Sequence, residues 1–307
     1  MTEPFDTPIT REGTLLVGPW RGPRQMLAEQ HYDGHASIHD DATAQKLGFK
    51  GGTIEGPTHF TQFEPLAFAL WGERWFREGC LSVHFRAPVF EGEEVRATIE
   101  ADTAMPSRAK ARMERLDGTE ILTGSIEVGT GNGPTALEQR LASLAPLVDP
   151  VVLRDVHVGL TSQRIPVRMG ADDHMGNYYP FTLAQKRLRM TETSDRFATA
   201  IPMEMISVLI QHKAGEDRFP VRGPHVGLFA DQEIRLIDGP LEVGADYEVE
   251  REIVGLSGSK RTESMWVKSR VYRPGGTSPV AEMLLNSAIM KESYATYAAE
   301  HAALYGS

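Results

Sequence analysis

Apolar residues recur at helical spacing in one stretch of the chain and alternate in several that follow. Phe60, Phe63, Ala67, Leu70 and Trp71 fall on one face of a 3.6-residue repeat, which predicts a helix with one side buried. Pro57 suits the first turn of that helix, where a missing N–H costs nothing. Pro65 either kinks the helix or moves its true start several residues later. Residues 81–87 and 95–101 then alternate, with Pro88 and Gly92 as punctuation between them. Arg108, Lys110 and Arg112 interleave with Ala109, Ala111 and Met113, the pattern of a strand with one wet and one dry face. Asp117-Gly118 signals a hairpin, and residues 121–128 form the returning strand. One helix is therefore followed by four antiparallel strands.

The second half repeats this order in weakened form. An apolar run again begins at a proline, Pro202, and continues to Ile210. Pro240 and Gly244 parallel Pro88 and Gly92. Residues 247–254, 264–272 and 280–290 read as strands, with Gly275-Gly276 as a turn. A spacing of about 150 residues between the matching features means a duplicated domain, not a solenoid. The expected division is an arm (1–12), a first unit carrying the candidate site (13–130), a linker (131–150), a second unit (151–290) and a C-terminal helix (291–307). Each unit is α+β, a helix wrapped by an antiparallel sheet. Two such sheets can pair edge to edge and cover each other's open edges.

Ahead of the first helix the pattern breaks into loops. Residues 1–12 are polar and loosely held, and residues 13–28 hold turns around a short strand near Trp20. Residues 33–41 read as a loop leading into a short helix. Asp40 or Asp41 can cap it, Ala42, Ala44 and Leu47 face inward, and Gly48 ends it. Gly51-Gly52 is a further turn.

Composition narrows the class. The chain has 307 residues, 41% hydrophobic and 24% charged, enough for roughly two ordinary domains. No apolar run approaches the roughly 18–20 residues that span a bilayer, and the N-terminus lacks a secretory pattern, so a cytoplasmic protein with no membrane partner is expected. A net charge of −10 argues against nucleic acid as a partner. The one cysteine, Cys80, precedes a strand-like run and is expected as a buried thiol.

Titratable residues concentrate before the first helix. Asp33, His35, His39 and Asp40 place carboxylates and imidazoles within eight positions, and Asp33 and His39 are the first choices for proton transfer. His31, His35, His39 and His59 raise the question of a metal, but the stretch reads as loop and no metal site is expected. Gly56-Pro57 at a helix start offers exposed N–H groups and the favourable end of the dipole. Pro57 cannot donate, so the donors are Gly56 or residues just after Pro57. Glu55 is a further acid, base or surface carboxylate, and His59 a rim or core histidine. Arg108, Lys110 and Arg112 either meet phosphates or form a solvated face. Lys260 and Arg261, in the turn 257–261, are a second phosphate candidate. Asp172, Asp173 and His174 echo the first polar loop.

A family resemblance joins these features. Asp33 with Asp40, Ala44 and Gly48-Phe49, then Ile54-Glu55-Gly56, then Phe85-Arg86-Ala87-Pro88-Val89-Phe90-Glu91-Gly92-Glu93, resembles the MaoC-like dehydratases and (R)-specific enoyl-CoA hydratases. The likeness covers about residues 14–130 well and the second half in outline, as in the double-hotdog members, where one half usually loses catalysis and shapes the acyl pocket; this implies that Asp173 and His174 are vestigial or rim residues. It implies reversible addition of water to a 2-enoyl thioester, with no cofactor and an acyl-CoA as partner. It also implies an aspartate and a histidine as the acid/base pair, and a backbone N–H at the helix start as the oxyanion donor. The aspartate falls on Asp33 and the oxyanion glycine on Gly56. The position of the family's histidine is Ile38, so either His39 or His35 takes that role through a local shift or the family's usual pair is absent. Asp40, Glu55, His59, Lys260 and Arg261 are the candidate substrate contacts. The alternatives are an acyl-CoA thioesterase, a divergent lyase or isomerase, or a non-catalytic acyl-binding protein of the same fold. A homodimer is compatible with each.

Overall fold

The computed structural model describes residues 4–26, 37–176, 178–216 and 219–306. Among the described residues eleven strands form a single sheet. Strands β1 (Thr10–Glu12), β2 (Leu15–Val17), β3 (Gly79–Phe85), β4 (Val95–Ala101), β5 (Arg108–Arg115) and β6 (Glu120–Val128) make one side. Strands β7 (Ile165–Arg168), β8 (Gly227–Leu236), β9 (Asp246–Gly258), β10 (Thr262–Tyr272) and β11 (Ala281–Met290) make the other. The order is β1-β2-β4-β5-β6-β3-β8-β11-β10-β9-β7, so the halves meet at β3 and β8. That pairing is antiparallel, with Cys80 opposite Arg235 and His84 opposite Asp231. Edge-to-edge joining removes two open edges that would otherwise have to be protected.

The expected helix is present in two pieces. Residues Gly56–Phe63 form a 3₁₀ helix, and α2 (Glu64–Trp71) continues it, with Pro65 in its first turn. The proline explains the change. Its ring clashes with the carbonyl four residues back, so the α-helix starts at Glu64 and the preceding segment winds more tightly. Short α3 (Arg74–Glu78) then leads into β3. The corresponding helix of the second half, α6 (Met203–Gln211), has Pro202 as its cap and is buried from Met203 to Ile210. It packs directly on the 3₁₀ helix. Phe60, Phe63, Leu66, Ile206, Leu209 and Ile210 belong to the same core, so the inner layer is shared between the halves.

Polar chemistry fastens the junction from the opposite face. α4 (Ala136–Ala142) is started by a capping box of Thr135 and Glu138 and packs on β3 and β8. Asp231 is fully buried there and accepts from His84 Nδ1 (2.8 Å), Arg140 Nε (2.7 Å) and Asn286 Nδ2 (2.7 Å). Thr135 Oγ1 donates to buried Glu233 at 2.5 Å. Cys80 lies beside Glu233, and burial together with that carboxylate pushes its thiol well above its usual range, in keeping with a structural sulfur.

Several sequence expectations need correction. Residues 4–12 are not a loose arm. Thr10–Glu12 pairs with Leu15–Val17, and Phe5 packs against Phe68, Phe76 and Phe197 in the core. Ala42 is exposed, whereas Ala44 and Leu47 point inward. β8 was missed because Asp231, Gln232 and Glu233 lie at its centre. All three are buried, so no alternation of apolar and polar residues marks the strand. The C-terminal stretch is a 3₁₀ turn at Lys291–Ser293 followed by an α-helix from Tyr297 to Tyr305, α7, which buries no residue.

Candidate functional site

A cavity of about 920 Å³ opens between the 3₁₀ helix, α6 and the sheet. Its wall begins with the polar loop ahead of the first helix. Helix α1 (Asp41–Lys46) is capped by Asp40, whose Oδ1 accepts from Thr43 N at 2.8 Å. This fixes the direction in which the preceding residues leave. Thr53 N donates to Ile38 O at 3.1 Å, and His39 Nδ1 donates to Thr53 O at 2.8 Å. With Nδ1 committed to a carbonyl, Nε2 is the ring nitrogen available for proton transfer. Gly52 permits the close approach, because a Cβ there would stand 2.3 Å from His39 O.

The chain then runs through Ile54, whose N–H donates to Val89 O at 2.8 Å, and reaches the helix tip at Gly56. Thr58 N–H turns back to Glu55 O, Pro57 has no N–H, and the Gly56 amide is the first donor of the helix. The glycine is required by packing. A Cβ on residue 56 would meet the Phe85 ring at 2.7 Å, and Phe85 itself stacks near Phe60. His39, Glu55, Gly56 and His59 all line the cavity, as does Ile38. The second half contributes an apolar stretch to the wall, Met205, Val208, Phe229, Met265, Val267 and Leu285, together with the polar Gln211, His225, Arg251 and Ser287.

Two charged residues of the second half reach the helix tip from below. Lys186, on α5 (Leu183–Arg187), donates from Nζ to Thr58 Oγ1 at 2.8 Å and lies 3.3 Å from Glu204 Oε1. Glu204 in turn accepts from Thr61 Oγ1 at 2.8 Å. Burial raises the Glu204 carboxyl, opposed by the Lys186 ammonium. Burial, with that ammonium, lowers His59 to about 3, so its ring is neutral at ordinary pH. Tyr179, also on the wall, is raised by burial and by Glu55. Sequence reasoning named none of Lys186, Glu204 and Tyr179. A carboxylate amid Met203, Met205 and Ile206 was the one signal for Glu204. Lys186 carried none beyond its capping box, Thr182 with Gln185.

The remaining candidates lie elsewhere. Asp33 and His35 fall outside the described residues. Asp40 is exposed and occupied as a helix cap. Lys260 and Arg261 sit in the β9–β10 turn, away from the cavity wall; Arg261 Nη2 contacts Leu47 O at 3.2 Å and Glu292 at 2.5 Å. Arg108, Lys110 and Arg112 pair with Glu127, Glu100 and Glu114 on a wet strand face. Asp173 is held by Arg168 and Gly170 N, and His174 is exposed, so that loop faces away from the cavity. Among the described residues no cluster of three or more His, Cys, Asp or Glu is arranged to hold a metal, and no helix is long and apolar enough to cross a membrane.

Comparison with solved structures decides the architecture. A MaoC domain protein from Chloroflexus aurantiacus J-10-fl superimposes with a TM-score of 0.50 at 14% identity, covering 84% of this chain and 88% of that one. The fold is a double hotdog. Two weaker structural likenesses to other double-hotdog-sized chains are the dehydratase domain of PpsC from Mycobacterium tuberculosis, in complex with C12:1-CoA (TM-score 0.48, 10% identity, 94% and 100% covered), and an acyl-CoA thioesterase II, TesB2, from Mycobacterium marinum (0.42, 10%, 94% and 95%). No family model and no curated protein matches the sequence. In the double hotdog each half supplies one central helix, and here the two helix tips differ. At α6 the Met203 N–H donates to Glu64 Oε1 at 2.9 Å, and Glu64 is itself buried. The second tip is therefore filled by a carboxyl of the first half, and the first tip faces the cavity.

Proposed function

We propose that the protein is a hydratase or dehydratase acting on an acyl thioester, in the manner of a MaoC-like enzyme. In this reading the thioester oxygen accepts from the Gly56 N–H, where the helix dipole favours the charge of the developing enolate. His39 Nε2 exchanges the proton of the added or departing water. Asp33 completes the acid/base pair, and His35 is the alternative imidazole. The acyl group lies along Met205, Val208, Phe229 and Leu285. A CoA ester is the natural carrier. One observation supports this above the others: His39 and the open helix tip line the same cavity, which also holds a stretch of apolar side chains from the second half. His39 also follows directly on Ile38, so a one-residue displacement brings an imidazole to the wall. The test is turnover of a panel of 2-enoyl-CoA esters from four to sixteen carbons, read as loss of the conjugated thioester absorbance. Hydration of at least one ester is expected; no turnover of any by folded protein would overturn the reading.

A thioesterase is the second reading, and Glu55 is what favours it. Its Oε2 is buried beside the helix tip without a hydrogen-bond partner, placed to activate water for attack on the carbonyl. A thiol reagent distinguishes the two, because hydrolysis releases free CoA and hydration does not.

A further inference from the structure

Part of the cavity wall is unlike the rest. Around the first helix tip, Glu55 Oε2 and His59 Nδ1 are buried without a hydrogen-bond partner. Glu204 Oε1 is held beside them by its ion pair with Lys186 Nζ at 3.3 Å. His59 is 2% exposed, Lys186 4% and Glu204 1%, so the cavity is the route by which a partner reaches them. Groups from both halves thus converge on one polar patch at the helix tip, beside the apolar stretch of Met205, Val208 and Leu285.

The composition of the patch limits what fits it. Two carboxyl groups face one ammonium, and that ammonium already donates to Thr58 Oγ1 and contacts Glu204. A carboxylate or phosphate brought here meets Glu55 and Glu204 and is repelled. An alkyl chain leaves Glu55 Oε2 and His59 Nδ1 buried and unpaired, which is unfavourable. A neutral hydroxyl satisfies both needs. It donates to a carboxyl oxygen and accepts from Lys186 or from the imidazole, which burial keeps uncharged.

We propose that this patch receives a hydroxyl carried on the acyl chain beyond the reacting carbons, so that the cavity selects hydroxylated acyl thioesters over plain alkyl ones. The inference rests on the thioester reading above, and its test separates the two.

The probes are amide analogues of six-carbon acyl-CoA, in which an N–H replaces the thioester sulfur. They neither react nor lactonise. Calorimetric binding compares the hexanoyl analogue with those bearing a hydroxyl at C4, C5 or C6, and with the analogue ending in a carboxylate. At least one hydroxylated analogue binds threefold or more tighter than hexanoyl, and the carboxylate binds no tighter than hexanoyl. In Glu55→Gln and His59→Leu that preference falls below threefold. Should His59→Leu not fold, the half-exposed Glu55→Gln carries the comparison. If hexanoyl binds and no hydroxylated analogue gains threefold, the hydroxyl subsite is wrong and the thioester reading stands. A carboxylate that binds tightest also overturns the subsite. If no analogue binds, both ideas fall together.

Discussion

The two central helices have similar starts and opposite surroundings. Each begins at a proline, Pro57 or Pro202, and each is buried along most of its length. At Met203 the tip is closed by Glu64, which also accepts from Trp75. At Gly56 the tip has a glycine under the Phe85 ring and a cavity beside it. A helix start is an anion site wherever its N–H groups are left to a ligand, and an ordinary structural joint wherever a side chain takes them. Duplication supplied two such starts. A single buried carboxyl occupies one of them, while the second half lends apolar wall residues, Lys186 and Glu204 to the other.

The sharpest break in this contrast is His39→Ala. Hydration should fall by roughly 10²–10⁴-fold, the usual contribution of a positioned acid or base, with little change in melting temperature. His39 is half-buried, and its bond to Thr53 O is one of several holding that loop. Steady-state kinetics with a parallel melting curve checks both statements.

Gly56→Ala should act next most strongly, and on stability as well as activity. The new methyl would stand 2.7 Å from the Phe85 ring, so ring and helix tip must separate. Overpacking of this kind costs about 1–3 kcal/mol, and in the proposed reaction the displaced amide would no longer meet the oxyanion. Denaturant unfolding reads the first effect and kcat the second.

Glu64→Gln tests the closed tip. Burial raises the Glu64 carboxyl from its ordinary 4.5 to about 8, with the Met203 N–H opposing that rise. The folded protein therefore keeps a proton that the unfolded chain gives up, and stability is lost as pH rises from 4.5 through 8. Glutamine keeps an acceptor for Met203 and has no proton to lose. The variant should melt above the parent at pH 9 and together with it near pH 5. Identical pH profiles would remove the account of that tip.

His59→Leu sharpens the same comparison at acid pH. Burial holds the imidazole at about 3 against 6.5 in the unfolded chain, so the parent loses stability as pH falls through that window. The variant should lose less between pH 6 and pH 4, measured by thermal melting. The smallest effect belongs to Lys260→Ala. That side chain is exposed in a turn away from the cavity, and KM for any thioester should change by less than about twofold.

Helix and strand periodicity made most of the architecture legible. The run from Phe60 to Trp71, the alternation at β4 and β5, and the paired proline–glycine punctuation were enough to expect two helix-wrapped sheets. These signals are local, since burial of one face imposes its period on the residues that form it. The candidate wall was legible in the same way at His39, Glu55, Gly56 and His59, because short spacings and a proline place them around one helix start. β8 was not legible, because its central Asp231, Gln232 and Glu233 are buried by partners far along the chain: His84, Arg140 and Thr135.

The sequence by itself thus determined the repeated unit, the helix start at Gly56-Pro57 and the company of histidine and carboxylate ahead of it. Only the tertiary structure decided which of the two helix starts stays open. That choice depends on Glu64 reaching Met203, and on Lys186 and Glu204 reaching Thr58 and Thr61, across 128 to 143 positions of chain. Contacts at such separation leave no period in the sequence. They exist because two buried helices pack side by side and must pair their polar atoms with each other.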